Sequence, residues 1–221
     1  MKIGNWNIER LKKIKEKDAI LNEINLRNFD ILVLTEYDER IKPKGFNYQI
    51  STESLMNVNT DNYKKTERRT TIFSKYPILN QLETFDKYTA CCAELKTEYG
   101  DLVVYGTIFG IYGNRNENFK LDLKRQILDF KKITREKNIC IVGDYNQTFS
   151  DNYYYTKFGR ETINENFKAL QIKNLTAELS ENIDHISISE NFIGETELKI
   201  ETWNMDKKLS DHIGVSITIE N

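Results

Sequence analysis

The sequence predicts an α/β protein, and two observations carry that reading. Nearly continuous apolar runs rich in β-branched residues recur at 31–34, 102–109 and 139–142, the composition of strands buried on both faces. Residues 11–28 and 119–135 instead set their apolar side chains at helical spacing among Lys and Glu. No Pro/Gly/Ser-rich linker, low-complexity tract or internal repeat divides the chain. Residues 1–221 are therefore expected to form one domain, long enough to bury a sizeable core.

In chain order, residues 2–8 read as a first strand around Ile3, Trp6 and Ile8, with Asn7 and Glu9 at i and i+2 near its end. Leu11, Ile14, Ile20, Leu21, Ile24 and Leu26 predict an amphipathic helix over 11–28. Residues 29–36 form a second buried strand that closes on Glu36. That carboxylate either sits just past the core in water or, if buried, is paired or holds a metal. Residues 37–71 are polar and poor in periodicity, read as loops around one or two short strands, with 46–50 one candidate. Within them Lys64, Lys65, Arg68 and Arg69 form the densest basic cluster, either a solvated face or a phosphate-contact loop. A strand over 70–74 is stopped before Pro77. Strands over 89–96 and 101–109 flank a hairpin turn at Glu98-Tyr99-Gly100-Asp101. A polar loop at 114–118 leads into the helix over 119–135.

Residues 139–147 then run from a buried strand through Gly143 into Asp144 and Asn146, which share a face if the chain stays extended. A plain strand-ending turn would look the same. Tyr153, Tyr154 and Tyr155 follow in a polar setting and are read either as packing or as a stacking surface for a base or sugar. A helix is expected over 160–170. The strand over 183–189 alternates, with Asp184 on the face of Ile186 and Ile188 and His185 opposite, structural or exposed. The closing strand, 209–219, is entered through Asp211 and His212.

Composition narrows function. With 32 Lys+Arg against 34 Asp+Glu, the net charge of -2 provides no global field for gripping long nucleic acid. No window reaches about 18 consecutive apolar residues, so no membrane span is expected. The N-terminal residues lack the apolar core of a signal peptide. Cys91, Cys92 and Cys140, an odd set with an adjacent pair, argue against a disulfide framework or a Cys-rich zinc site. A cytoplasmic, reduced protein is the expectation, with a monomer favoured.

Polar groups thus end five apolar strands: Asn7 and Glu9, Glu36, Asp144 and Asn146, Asp184, and Asp211 with His212. Five such endings point to one site assembled where strand ends converge. Oxygen donors without Cys favour a hard cation, Mg²⁺ or Mn²⁺, beside a phosphoryl group. A carboxylate-paired histidine could donate to the phosphoryl oxygen, and a second carboxylate could activate water.

The ordered set Asn5-Trp6-Asn7-Ile8-Glu9, Glu36, Ser74-Lys75-Tyr76-Pro77-Ile78, Gly143-Asp144-Tyr145-Asn146, Ile183-Asp184-His185-Ile186 and Ser210-Asp211-His212 resembles the endonuclease/exonuclease/phosphatase superfamily, related to exonuclease III and deoxyribonuclease I. The resemblance spans almost the whole chain. It implies a four-layer α/β sandwich: two packed mixed, mostly antiparallel β-sheets flanked by helices. It also implies metal-dependent phosphoester hydrolysis by in-line attack of water. By matching position, Glu36 would be the principal metal ligand, with Glu9 and Asp211 also at the metal and Asn7 nearby. Asp144 would orient or activate water, Asn146 would hold water or phosphate, and His212, braced by Asp184, would contact the phosphoryl oxygen. Lys64, Lys65, Arg68, Arg69, Tyr153, Tyr154 and Tyr155 are the candidate substrate contacts.

Two departures bear on substrate. Many members carry a Tyr or His after the strand matching 103–107; here Ile108 stands there, with Tyr112 the nearest substitute. Abasic-site endonucleases carry a Trp just before the Asp of the Asp184 motif, where this chain has Glu181-Asn182-Ile183. The expected function is a nuclease on DNA or RNA. The alternative is a phosphatase or phosphodiesterase on a small nucleotide, sugar phosphate or lipid headgroup, and a catalytically dead binding module is the reading from a different class.

Overall fold

The computed structural model describes residues 1–58 and 62–220; residues 59–61, within the polar segment expected to form loops, and residue 221 lie outside the described residues. Two six-stranded sheets face each other. The first contains β1 (Lys2–Asn7), β2 (Ile31–Asp38), β3 (Tyr48–Ser51), β4 (Glu67–Ser74), β11 (Glu197–Trp203) and β12 (Gly214–Glu220), in the order β11-β12-β1-β2-β4-β3. The second contains β5 (Ile78–Leu82), β6 (Cys91–Thr97), β7 (Gly100–Ile108), β8 (Ile139–Asp144), β9 (Ile172–Asn174) and β10 (Asp184–Ser189), in the order β5-β6-β7-β8-β10-β9. The helices are α1 (Lys17–Leu26), α2 (Glu117–Ile133), α3 (Lys157–Ala169) and the single turn α4 (Glu190–Ile193).

Period-two alternation explains why the central strands are apolar throughout. Ile31 and Val33 point between the sheets and meet Val104, Cys140, Val142, Ile186 and Ile188. Leu32 and Leu34 point the other way, onto Ile20 and Ile24 of α1. In the second sheet Val103, Tyr105, Ile139 and Ile141 face outward onto Phe119, Leu123 and Phe130 of α2 and Ile163 and Phe167 of α3. Each such side chain contributes about 1.5–3 kcal/mol when fully buried. Helix, sheet, sheet and helix are the four layers expected. Among the described residues no helix is long and apolar enough to cross a membrane, and all three cysteines are free and buried.

Each sheet holds one parallel pair, β1 with β2 and β7 with β8; the other ladders are antiparallel. The crossovers of these pairs carry α1 and α2. The expected helix over 11–28 is shorter. Glu9, Arg10 and Leu11 all take φ of 53°, so the chain leaves β1 through a left-handed turn and the α-helix begins only at Lys17. Strands β5, β9 and β11 are additions to the sequence reading.

Candidate active site

Sheet topology brings the polar strand ends together. Asn7 and Glu36 stand toward the carboxyl ends of the parallel pair β1 and β2, and Asp144 ends β8, the second strand of the other parallel pair. Such ends are where open α/β sheets leave room for ligands. Because β10 runs antiparallel to β8, Asp184 lies directly opposite Asp144. Two amides tie the sheets at this point. Asn5 Nδ2 donates to Gly143 O at 3.0 Å, and Asn7 Nδ2 donates to Asp144 Oδ2 at 3.3 Å. Gly143 has φ of 152°, and a Cβ there would stand 1.8 Å from Thr107 O. Only glycine permits this approach of β8 to β7.

The Asp144 carboxylate is buried and fixed on both oxygens, since Asn146 N–H donates to Oδ1 at 2.8 Å. Burial pushes its pKa up, His212 opposes the shift, and the Asp184 and Glu36 charges add to it. Asp184 Oδ2 accepts from His212 Nδ1 at 2.6 Å. Burial works against a charge on His212, but Asp184, through its charge and this bond, outweighs it with help from Asp144 and Asp211. His212 is therefore held protonated well above the ordinary histidine range. Ser210 fixes the approach: its hydroxyl donates to Asn7 O at 2.7 Å and accepts from His212 N–H at 3.2 Å.

Glu36 occupies a strained position, with φ of 44° between the paired positions Thr35–Thr70 and Tyr37–Arg68. A non-glycine residue there costs on the order of 1 kcal/mol, a strain that clusters at functional sites. Its carboxylate lines a cavity of about 310 Å³ with Arg10, Lys12, Tyr63, Arg69, Ile108, Asp144, Asn146 and His212. Arg10 Nε approaches Glu36 Oε2 at 3.6 Å.

The expected metal set of Glu9, Glu36 and Asp211 does not close into a cluster. Glu9 pairs with Lys12 at 3.0 Å, and the Asp211 side chain is 59 % exposed, 3.7 Å from His212 Nε2. Among the described residues no three His, Cys, Asp or Glu side chains are grouped to enclose an ion. The donors nevertheless suit a hard cation. Mg²⁺ takes one or two carboxylates and completes its shell with water and phosphate. Glu36 and Asp144 share the cavity; burial dominates the upward shift at Asp144 and the Glu36 charge adds to it, and a cation there would relieve both.

The substrate candidates separate. Arg69 enters the cavity, nearly buried, and donates from Nη1 to Thr89 Oγ1 at 3.0 Å. Among the described residues no carboxylate oxygen lies within 4.0 Å of its guanidinium nitrogens, which is unusual for a buried Arg. Arg68 pairs with Glu39 at 2.5 Å, Lys64 stands 3.9 Å from Glu67, and Lys65 is exposed; none of the three lines the cavity. Tyr112 is 60 % exposed and also stands off it. Tyr153 and Tyr154 line a second cavity of about 210 Å³, with Asn182, Asp184, Lys207, Asp211 and His212. His212 is common to both cavities. Tyr155 is taken up by the Arg160 guanidinium, stacked 3.8 Å from its ring centroid. Asn146 is pinned by its own side chain, which donates to Phe109 O at 2.9 Å. His185 is buried and structural, bonded to Thr176 Oγ1 and Gln147 O at 3.0 Å each.

Sequence reading missed Arg10, Lys12, Tyr63 and Lys207 as lining residues, and Asn5 and Ser210 as supports. Asn5 and Asn7 repeat the i, i+2 pattern that marked Asp144 and Asn146, a signal that could have included Asn5.

Neither a protein-family model nor a curated protein sequence matches the chain. Solved structures do. The 3' phosphatase NExo from Neisseria, bound to a product DNA hairpin, is 15% identical with a TM-score of 0.72, and the match covers 100% of both chains. A mutant of beta toxin from Staphylococcus aureus with bound magnesium ions is 15% identical with a TM-score of 0.66, covering 99% of both chains. An endonuclease/exonuclease/phosphatase from Beutenbergia cavernae is 13% identical with a TM-score of 0.67, covering 100% of this chain and 72% of that one. At these identities the likeness establishes the fold: the chain has the architecture of the endonuclease/exonuclease/phosphatase structures, as the sequence motifs imply.

Proposed function

We propose that this protein is a divalent-metal-dependent phosphoester hydrolase working by in-line attack of water, and that its reaction is cleavage of phosphodiesters in DNA or RNA. The observation that carries the reading is His212, held by Asp184 at 2.6 Å and lining the same cavity as the fixed carboxylate of Asp144. A histidine kept protonated beside a carboxylate pushed toward neutrality is an acid and base divided by environment.

In this reading Asp144 orients the attacking water and takes its proton, held in place by Asn7 and the Asn146 N–H. His212 donates from Nε2 to a phosphoryl oxygen while Asp184 holds Nδ1. Arg69 binds another phosphoryl oxygen, the role that Ile108 leaves open and that exposed Tyr112 does not fill. Glu36, with Asp144 close by, would hold Mg²⁺ or Mn²⁺, which supplies charge stabilisation at the phosphoryl oxygens and leaving group. Tyr153, Tyr154 and Lys207 would contact the part of the substrate beyond His212. Support comes also from the similar structures, one a 3' phosphatase on DNA and one with bound magnesium.

One observation favours the second reading, a small nucleotide, sugar phosphate or lipid headgroup. Two of the four cations in the basic cluster, Arg68 and Lys64, face Glu39 and Glu67, which leaves less charge to follow a long backbone. Nicking of supercoiled plasmid separates the two. The nuclease reading predicts cleavage that needs Mg²⁺ or Mn²⁺, stops with chelator and is lost in Asp144→Asn. Intact plasmid and intact RNA with folded, metal-binding protein would overturn the nuclease reading and favour the small phosphoester.

A further inference from the structure

We infer that Thr89 and Asp86 are positioning residues for Arg69, forming a relay that aims its guanidinium without neutralising it; this rests on the reading that the Arg69 cavity receives a phosphoryl group. The direction of the relay follows from its donors. The Thr89 hydroxyl has one proton, and Asp86 Oδ2 takes it at 2.5 Å. The Thr89 oxygen is left to accept from Arg69 Nη1 at 3.0 Å. A hydroxyl polarised by a carboxylate is the stronger acceptor.

The relay is built in. The Thr89 carbonyl accepts from Thr70 Oγ1 at 2.9 Å, which fastens it to β4 beside Arg69. The N–H groups of Thr89 and Ala90 both donate to Asp86 O at 3.0 Å. Arg69 N–H donates to Thr52 Oγ1 at 3.1 Å, so backbone and side chain are both held. Among the described residues, one guanidinium donor is spent on Thr89 and four remain for other partners.

Arg40 in the same protein shows the alternative. It closes its fork on Asp38 at 2.8 and 2.7 Å, and its charge is consumed by that carboxylate. At Arg69 the threonine stands between the charges. The side chain is held by its bond to the Thr89 hydroxyl, and its positive charge stays available to an incoming anion.

The test is calorimetric titration of the full chain with inorganic phosphate in the presence of Mg²⁺, comparing wild type, Thr89→Val, Thr89→Ser, Arg69→Gln and the Arg69→Gln/Thr89→Val double variant. Thr89→Val is expected to weaken phosphate binding about tenfold, and Thr89→Ser to stay within about twofold of wild type. In the Arg69→Gln background, Thr89→Val is expected to change nothing further, because its effect passes through Arg69. Wild-type affinity in Thr89→Val, or the same loss in both backgrounds, would overturn the relay. Thr89→Ser keeps the hydroxyl should the valine variant fold poorly, and tenfold weakening there would also overturn it. Phosphate binding governed by Thr89 in a protein that hydrolyses no phosphoester would remove the hydrolase reading and leave the relay standing. No phosphate binding by wild type would overturn the relay, while the hydrolase reading would stand or fall on phosphodiester turnover.

Discussion

The two histidines differ only in what surrounds them, and one ends protonated, the other neutral. His212 faces Asp184 and is held protonated. His185, one residue along β10 from Asp184, meets a hydroxyl and a carbonyl, and burial pushes it down to about 4. That makes His185 a source of acid sensitivity. The unfolded chain takes up a proton near pH 6.5 and the folded one only near 4, so stability contributed above pH 6.5 is lost as pH falls toward 4. Urea unfolding at pH 7 and pH 5 should show wild type losing about 2 kcal/mol more than His185→Asn. Equal losses would show that His185 is not held neutral. Glu36 and Asp144 were legible because each ends a run of apolar residues, where an unused carboxylate is costly. Arg69 was legible only as one cation among four; its burial sets it apart, and burial is a tertiary property. Asn5 and Ser210 were not legible as supports, because their bonds reach 138 and 203 residues along the chain.

The elements found in the sequence are those whose pattern is local. β2, β7 and β8 are buried on both faces and read as continuous apolar runs. β5, β9 and β11 are sheet edges. β5 is mostly half-buried or exposed, and β11 interleaves Lys and Glu with Leu198 and Ile200, so no run marks either. The helix over 11–28 was overextended because Leu11 and Ile14 keep the helical spacing while the backbone turns left-handed after β1. β8 also carries the sharpest local constraint. Gly143→Ala must move either Thr107 or Asp144, because the added carbon falls on a carbonyl oxygen of β7. A loss on the order of 3 kcal/mol or more is expected in denaturant unfolding. A variant as stable as wild type would mean that the β7–β8 approach is looser than described.

Across the whole molecule the two sheets repeat one arrangement. The order β12-β1-β2-β4-β3 in the first matches β6-β7-β8-β10-β9 in the second, with the parallel pair at the same place in each. No sequence repeat announces this, since each half fills its core with different side chains. The consequence is functional. The carboxyl ends of the two parallel pairs meet, one supplying Asn7 and Glu36 and the other Asp144, and the second sheet adds Asp184 to hold His212 from the β11–β12 connection of the first. A centre made in this way needs both sheets packed, so unfolding of either removes it. The central claim, that this junction hydrolyses phosphoesters, is tested most directly by the initial rate on a chromogenic phosphodiester with Mg²⁺, for wild type and for His212→Gln of native circular dichroism. The expected result is metal-dependent turnover by wild type and a loss of about a thousandfold in the variant. Turnover at the wild-type rate in His212→Gln would contradict it.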